Sequence, residues 1–559
     1  MEFTMFHPDI APLGSLMWSA LVALLPLIVM FVTLGGLKWK AHWAGLASLG
    51  TAMLVAVFAF KMPVNLTFLA ATQGAVFGLF PITWIVLTAI WLYQVTVVSG
   101  RFEDLRATFG LISDDPRVLA ILIAFCFGGL MEALAGFGAP VAITGVMLMA
   151  VGFSALRAAM VVLLANTAPV AFGAIAIPII TAGNLTGINY HTIGAYVGHQ
   201  TPVLALFVPC LLVLLADGKR GLKETWPVAL VMGVAFAVAQ WISATYISVE
   251  LTDVIASLIG LAAGVVFLRF WQPKGGEEAL ERLHAERAQE KTTVVEAHVP
   301  GATEKLSGAR IFMALFPYLL VIVIFSVAKL VPFVSKWLLS TDLKIHWPGL
   351  YGNLVINAEG EASKSAIYTF SWLSGPGTLL VFTAIIVAIV YRVSVKDFFS
   401  ELTQTIYKMR WSFLTIASVL ALAYVMNMSG QTITIGTWIA GVGATFAFFS
   451  PILGWIGTAV TGSDTSANAL FATLQQTTAN EIKLDPTLLV AANTSGGVVG
   501  KMISPQNLAI ACSAVGLMGA ESQIFRKVVW WSIGLLVVLC LLIGLQSTSV
   551  LSWMLPAHS

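Results

Sequence analysis

Long apolar runs separated by short polar or basic interruptions dominate the chain, and most approach the ~20 residues that a helix needs to cross a hydrocarbon core. On that spacing, spans fall at 17 to 36, 42 to 60, 81 to 99, 158 to 183, 191 to 216, 226 to 248, 251 to 270, 310 to 331, 376 to 394, 411 to 428, 486 to 510 and 529 to 548. Two further apolar stretches are interrupted midway: 117 to 153 at AGFGAP (135 to 140), and 437 to 480 at TGSDTS (461 to 466). The pattern predicts an all-α polytopic membrane protein with about 12 crossing helices plus two re-entrant helical hairpins.

Basic residues give the spans a direction. Lys38, Lys40, Arg101, Arg106, Arg117, Lys219, Arg220, Lys223, the linker 272 to 309, Lys396 through Arg410, and Arg526-Lys527 fall on one side if both termini lie outside. Arg117 and Arg157 then put both ends of the first hairpin inside, and by parity the second enters from outside. Irregular backbone at membrane depth is tolerated where it is buried in protein or lines a cavity, so both tips are expected to face a site.

Composition agrees with that class. Hydrophobic residues make up 58% of the chain and charged residues 10%, against about 25% charged in soluble domains. The formal charge of +2 is dispersed through short loops, with no basic patch that would suit nucleic acid. Cys126, Cys210, Cys512 and Cys540 sit in apolar runs with no CxxC spacing, so no metal site or cofactor is expected. Glu2 and Asp9 replace a basic n-region, which favours a retained first helix over a cleaved signal.

The chain also repeats itself. Ala165-Asn166-Thr167 and Ala492-Asn493-Thr494 share an offset of 327 (493 − 166), kept by Gly173 with Gly500 and by Pro178 with Pro505. Gly128 and Gly136 match Gly454 and Gly462 at 326 (454 − 128). Matched spans run in opposite directions, so the repeats are read as inverted: 1 to 220 and 310 to 559, joined by two helices in 221 to 271 and the linker 272 to 309. Within that linker EEALERLHAERAQEK could form a surface helix, although a solvated tether is the expected reading, and 332 to 375 is an outer loop.

Paired breaks of this kind point to a secondary transporter's binding site. Broken helices present amide N–H groups and a positive dipole end to an anion, and carbonyls to a cation or a hydroxyl. Gly136 and Gly138 make the first tip small and apolar, while Ser463 and Thr465 make the second polar; Asn166, Thr167, Asn493 and Thr494 add amides and hydroxyls at the breaks. Glu132, Asp464 and Lys501 are ionisable groups inside these segments, where each costs about 2.5–3.5 kcal/mol to insert and usually pairs or faces a cavity. Lys501 could bind a substrate carboxylate or pair with Asp464, and Glu132 or Asp464 could carry a proton. His191 and His199 share a helical face and could relay protons, or be satisfied interfacial residues. No nucleophile and base pair or phosphate loop marks an enzyme.

EALAGFGAPVAIT from Glu132, LLANTAPVAFGAIAIPI from Leu163, GLKETWP from Gly221, TGSDTSANALFATLQ from Thr461 and VAANTSGGVVGKMISPQNLAIACSAVG from Val490 closely resemble the bacterial lactate permease family over essentially the whole chain. The resemblance implies proton-coupled symport of L-lactate, with D-lactate and glycolate, across the cytoplasmic membrane, and a wider superfamily of elevator-type transporters. Glu132-Ala133-Leu134-Ala135 departs from that family's EGAAGFGAP pattern, and His199 stands where an arginine is expected. Sodium-coupled symport and a passive anion channel stay open beside proton symport, and the oligomeric state between monomer and homodimer.

Overall fold

A computed structural model describes residues 6–37, 39–104, 112–134, 136, 138–289, 307–351, 366–517 and 520–556. Lys38, Arg106, the tip residues Ala135 and Phe137, the linker's second half and the middle of the outer loop lie outside the described residues. The chain is a multi-pass membrane protein. Among the described residues nine helices are long and apolar enough to cross a bilayer, or ten if Ala155–Ala165 and Val170–Thr186, bent by 64°, form one span.

That count differs from the expected crossings for local reasons. Predicted spans 191 to 216 and 226 to 248 run together as Thr201–Ile247, broken at Asp217 and Gly218, and Thr252–Leu268 and Pro376–Val390 are shorter helices. A helix at Val64–Phe77 was not expected, because buried Thr67 and Gln73 dilute its apolar signal. It continues past a kink at Phe80 into Trp84–Val98. The outer loop holds a helix, Pro332–Ser340, and an antiparallel pair, Leu343–His346 with Ile367–Phe370, whose Tyr368 hydroxyl donates to the Phe80 carbonyl at 2.7 Å.

Both interrupted stretches form helical hairpins near the expected places. In the first, Pro116–Leu134 turns through Gly138 (φ 83) into Ala139–Val151. In the second, Phe446–Thr461 ends at left-handed Gly462 (φ 77), and Ser463 caps Asp464–Glu481 by accepting from the Ser466 amide at 3.3 Å. The halves grip each other reciprocally. Hairpin arm Ala139–Val151 packs on Pro505–Ala514, where a Cβ on Gly138 would collide with Ile510. Arm Asp464–Glu481 packs on Gly173–Thr186, with the Asn468 amide donating to the Pro178 carbonyl at 3.1 Å.

The second broken helix differs from the expectation. Pro486–Gly500 runs unbroken through Asn493 and Thr494, and the break comes at Lys501–Ser504. Pro505 explains the position, since it cannot donate to the turn before it and restricts Ser504. Asn493 needs no break because its amide donates to Asn468 Oδ1 at 3.0 Å.

The linker is not simply a solvated tether. Its helix Gly276–Gln289 docks under the first hairpin: Arg282 forks onto Asp217 at 2.7 and 3.0 Å, Arg157 meets Glu286 at 2.6 Å, and Arg287 donates to the Met149 carbonyl at 2.9 Å. Beside it Arg117, fully buried, is held by Asp115 at 2.7 Å, Glu224 at 2.5 Å and the Lys274 carbonyl at 2.7 Å. Alternating charge made the helix legible, but not the basic and acidic partners waiting beneath it.

Candidate functional site

The second break delivers Lys501 to the interior. A Cβ on Gly500 would collide with the Trp455 carbonyl, so this glycine lets the helix lie against hairpin arm Phe446–Thr461. Lys501 Nζ then lies 2.5 Å from Glu132 Oε1, on the last turn of Gly128–Leu134. Gly173 leaves room for that carboxylate, because a Cβ there would sit 2.9 Å from the same oxygen. Lys501 therefore pairs with Glu132 rather than Asp464, and Glu132 is not in the mostly apolar company its sequence neighbours suggest.

Around this pair is a cavity of about 210 Å³, lined by Glu132, Gly136, Gly173, Asp464, Thr465 and Lys501 among others. Pockets for drug-sized ligands measure about 300–1,000 Å³, so the space suits a smaller molecule. Ser463 also lines it. With its oxygen accepting from the Ser466 amide, the Ser463 hydroxyl hydrogen is available to donate. Asp464 Oδ1 accepts from Thr458 at 3.4 Å. Asp464 Oδ2 and Glu132 Oε2 are both buried with no hydrogen-bond partner among the described residues.

Backbone on the cavity wall is strained. Ala174, Ile175 and Ala176 have φ of 44, 60 and 58°, a left-handed turn of three L-residues. Each such residue costs about 1–2 kcal/mol relative to the right-handed form, so the packing around Gly173–Thr186 must hold it.

Other expected residues stand back from the cavity. Thr494 donates to Asn468 Oδ1 at 3.1 Å, and Thr167 to the Leu164 carbonyl at 2.7 Å. Asn166 is buried in the first break, with Oδ1 unpartnered among the described residues. Gly138 sits against Ile510. His191 is exposed at the start of Tyr190–Val197, its ring 4.1 Å from that of Tyr190. His199 is satisfied at both nitrogens: Nδ1 meets the Ala195 carbonyl at 2.7 Å, and Nε2 accepts from Trp241 at 2.9 Å.

Sequence reading missed His42 and Trp411, whose rings stack 4.5 Å apart and line the cavity, and Gln506, which packs on Gly462. Nothing in the order of residues announces the stack, because its rings come from helices far apart in the chain. Gln506 stands directly after the repeated proline.

The match to known proteins spans this entire arrangement. A model of the L-lactate permease family matches residues 19–550. The chain belongs to the L-lactate permease family. It is 43% identical to the L-lactate permease of Bacillus subtilis (strain 168), covering 100% of both chains. It is 44% identical to the glycolate permease GlcA of Escherichia coli (strain K12), covering 93% of this chain and 94% of that one. The L-lactate permease of the same E. coli strain is 39% identical, covering 98% of each. Among solved structures, Neisseria gonorrhoeae MtrF aligns over 90% of this chain and 95% of its own, at 12% identity and a TM-score of 0.45. Membership covers both hairpins, both breaks and the Glu132–Lys501 pair.

Proposed function

We propose that this protein is a proton-coupled symporter of L-lactate and the related 2-hydroxymonocarboxylates D-lactate and glycolate, in the bacterial cytoplasmic membrane. The observation that carries the mechanism is the buried Glu132–Lys501 ion pair on the wall of a small cavity. A substrate carboxylate and the Glu132 carboxylate are rivals for one ammonium. Protonating Glu132 frees Lys501, and the substrate anion takes the vacated place.

Charge conservation makes this a coupling device. One anion and one proton enter together, so the loaded site has the same net charge as the empty one and crosses the low-dielectric barrier at no added charge cost. Ser463 and Thr465, on the cavity wall, bind the 2-hydroxyl. Gly136 keeps the opposing tip small, and Gly138 lets that tip close on Ile510. Asp464, carrying no ion pair among the described residues, steers the substrate's carboxylate toward Lys501. Asn166, Thr167, Asn493 and Thr494 act as supports for the breaks rather than as direct ligands. Inverted repeats over 1 to 220 and 310 to 559, with both termini outside, would carry the two hairpins on opposite sides of the site.

L-lactate uptake into proteoliposomes with an inward proton gradient and no sodium tests this reading. Accumulation above equilibrium that a protonophore abolishes is the expected result. Equilibration without accumulation, or uptake that requires sodium, would refute it.

A further inference from the structure

Asp253 is a carboxyl that the exchange at Lys501 does not use. It is fully buried in the first turn of Thr252–Leu268. Oδ1 accepts from Gln240 Nε2 at 2.9 Å, while Oδ2 is buried with no hydrogen-bond partner among the described residues. An ionised carboxylate in that position is desolvated and lacks a cation, and a proton on Oδ2 removes the charge.

Its surroundings connect it to the site. The Gln240 amide also donates to the Ala168 carbonyl at 3.2 Å, in the break that follows Asn166-Thr167. One turn beyond Asp253, buried Ser257 Oγ lies against Gly129, and Glu132 follows Gly129 by one turn of the hairpin arm. Thr252–Leu268, which carries Asp253, packs directly against Gly128–Leu134, which carries Glu132. Three residues before Asp253 is Glu250, bonded to the half-buried Tyr190 hydroxyl at 2.8 Å and to Ser248 at 2.8 Å. Among the described residues the charged groups on the packed elements are Glu132, paired with Lys501, and Glu250, three residues before Asp253 in the chain, while the Thr201–Ile242 helix contributes neutral Gln240.

We propose that Asp253 is a second proton-binding site, which passes its proton to Glu132 as the substrate carboxylate displaces Glu132 from Lys501. The proposal rests on the symport reading above. In this step the Asp253 O–H bond breaks and an O–H bond forms on Glu132. Asp253 regains a proton from the Tyr190–Glu250 side, and no electrons are transferred.

Asp253→Asn in the full chain, reconstituted in liposomes, is expected to lower proton-driven L-lactate uptake by about a hundredfold relative to exchange of labelled for unlabelled L-lactate in the same vesicles. Asp253→Glu should restore part of that ratio. A ratio equal to that of the unsubstituted protein overturns the proposal. Infrared difference spectra of the unsubstituted protein on adding L-lactate give a test that does not depend on the variant folding. Two carboxyl bands should change before Asp253 is reprotonated, one losing and one gaining a proton, and Glu132→Gln, which leaves Asp253 without an acceptor, should remove both; a single band overturns the proposal. If the unsubstituted protein exchanges L-lactate but never accumulates it from a proton gradient, the symport reading fails instead.

Discussion

Lys501 Nζ and Glu132 Oε1 are 2.5 Å apart across 369 residues of chain, so a cation from the second half closes on an anion from the first. Each arrives by a separate device: a helix ended ahead of Pro505 presents the lysine, and Gly173 clears the space for the carboxylate. The pair therefore joins the two halves where the cavity forms.

Removing one partner should cost far more than removing both. Lys501→Met leaves Glu132 as an uncompensated buried charge and should destabilise the protein by about 3–5 kcal/mol, whereas Lys501→Met with Glu132→Gln should recover most of that loss. Thermal unfolding of Lys501→Met, Glu132→Gln and the double variant in detergent checks the cycle. Equal losses in the single and double variants would mean that the pair contributes no coupling.

Helix crossings at the second hairpin depend on absent side chains. A Cβ on Gly454 would run into the Asn493 carbonyl, so Gly454→Ala should force the helices apart and cost about 1–3 kcal/mol. Gly534 has open space around it, and Gly534→Ala should be neutral or stabilising by up to about 1 kcal/mol. Melting temperatures of the two variants should move in opposite directions or differ by the first loss alone.

Arg117 and Arg157 both anchor the underside of the first hairpin but in different dielectric settings. Arg117 is fully buried among Asp115, Asp217 and Glu224, so Arg117→Met should cost about 3–5 kcal/mol. Lysine should rescue it poorly, because one ammonium cannot reproduce the fork onto Asp115 together with the Glu224 and Lys274 contacts. Arg157 and Glu286 are 29% and 39% exposed, and Arg157→Ala should lose only about 0–1 kcal/mol from that ion pair. Chemical unfolding of the reconstituted variants separates the cases.

Hairpin orientation can be read with cysteines at exposed positions in a background lacking Cys126, Cys210, Cys512 and Cys540. Thr445→Cys and Glu481→Cys, at the two ends of the second hairpin, should react with an impermeant maleimide added outside. Asp114→Cys, at the start of the first, should react only when the inside is opened. Labelling of Thr445→Cys and Glu481→Cys from opposite sides would show a spanning segment in place of a re-entrant hairpin.

Much of this was legible because membrane physics is local. Runs of apolar residues, the glycines at Gly138 and Gly462 and the prolines at Pro178 and Pro505 announced the hairpins and one break within a few residues. What stayed hidden depended on side chains from distant segments meeting. Asn493 and Thr494 look like a second break until Asn468 and Gln475 are known to satisfy them. Lys501 has two carboxyls in reach by sequence, and only the packing selects Glu132. The linker helix has the polar pattern of a solvated face, yet Asp217, Met149 and Arg157 lie beneath it.

Proton coupling through Glu132 is read most directly from the pH change outside proteoliposomes when L-lactate is added without sodium, compared between the unsubstituted protein and Glu132→Gln. L-lactate entry should make the exterior alkaline, by about one proton for each molecule taken up, and Glu132→Gln should abolish this signal. L-lactate entry with no alkalinisation, or an equal signal from Glu132→Gln, would contradict it.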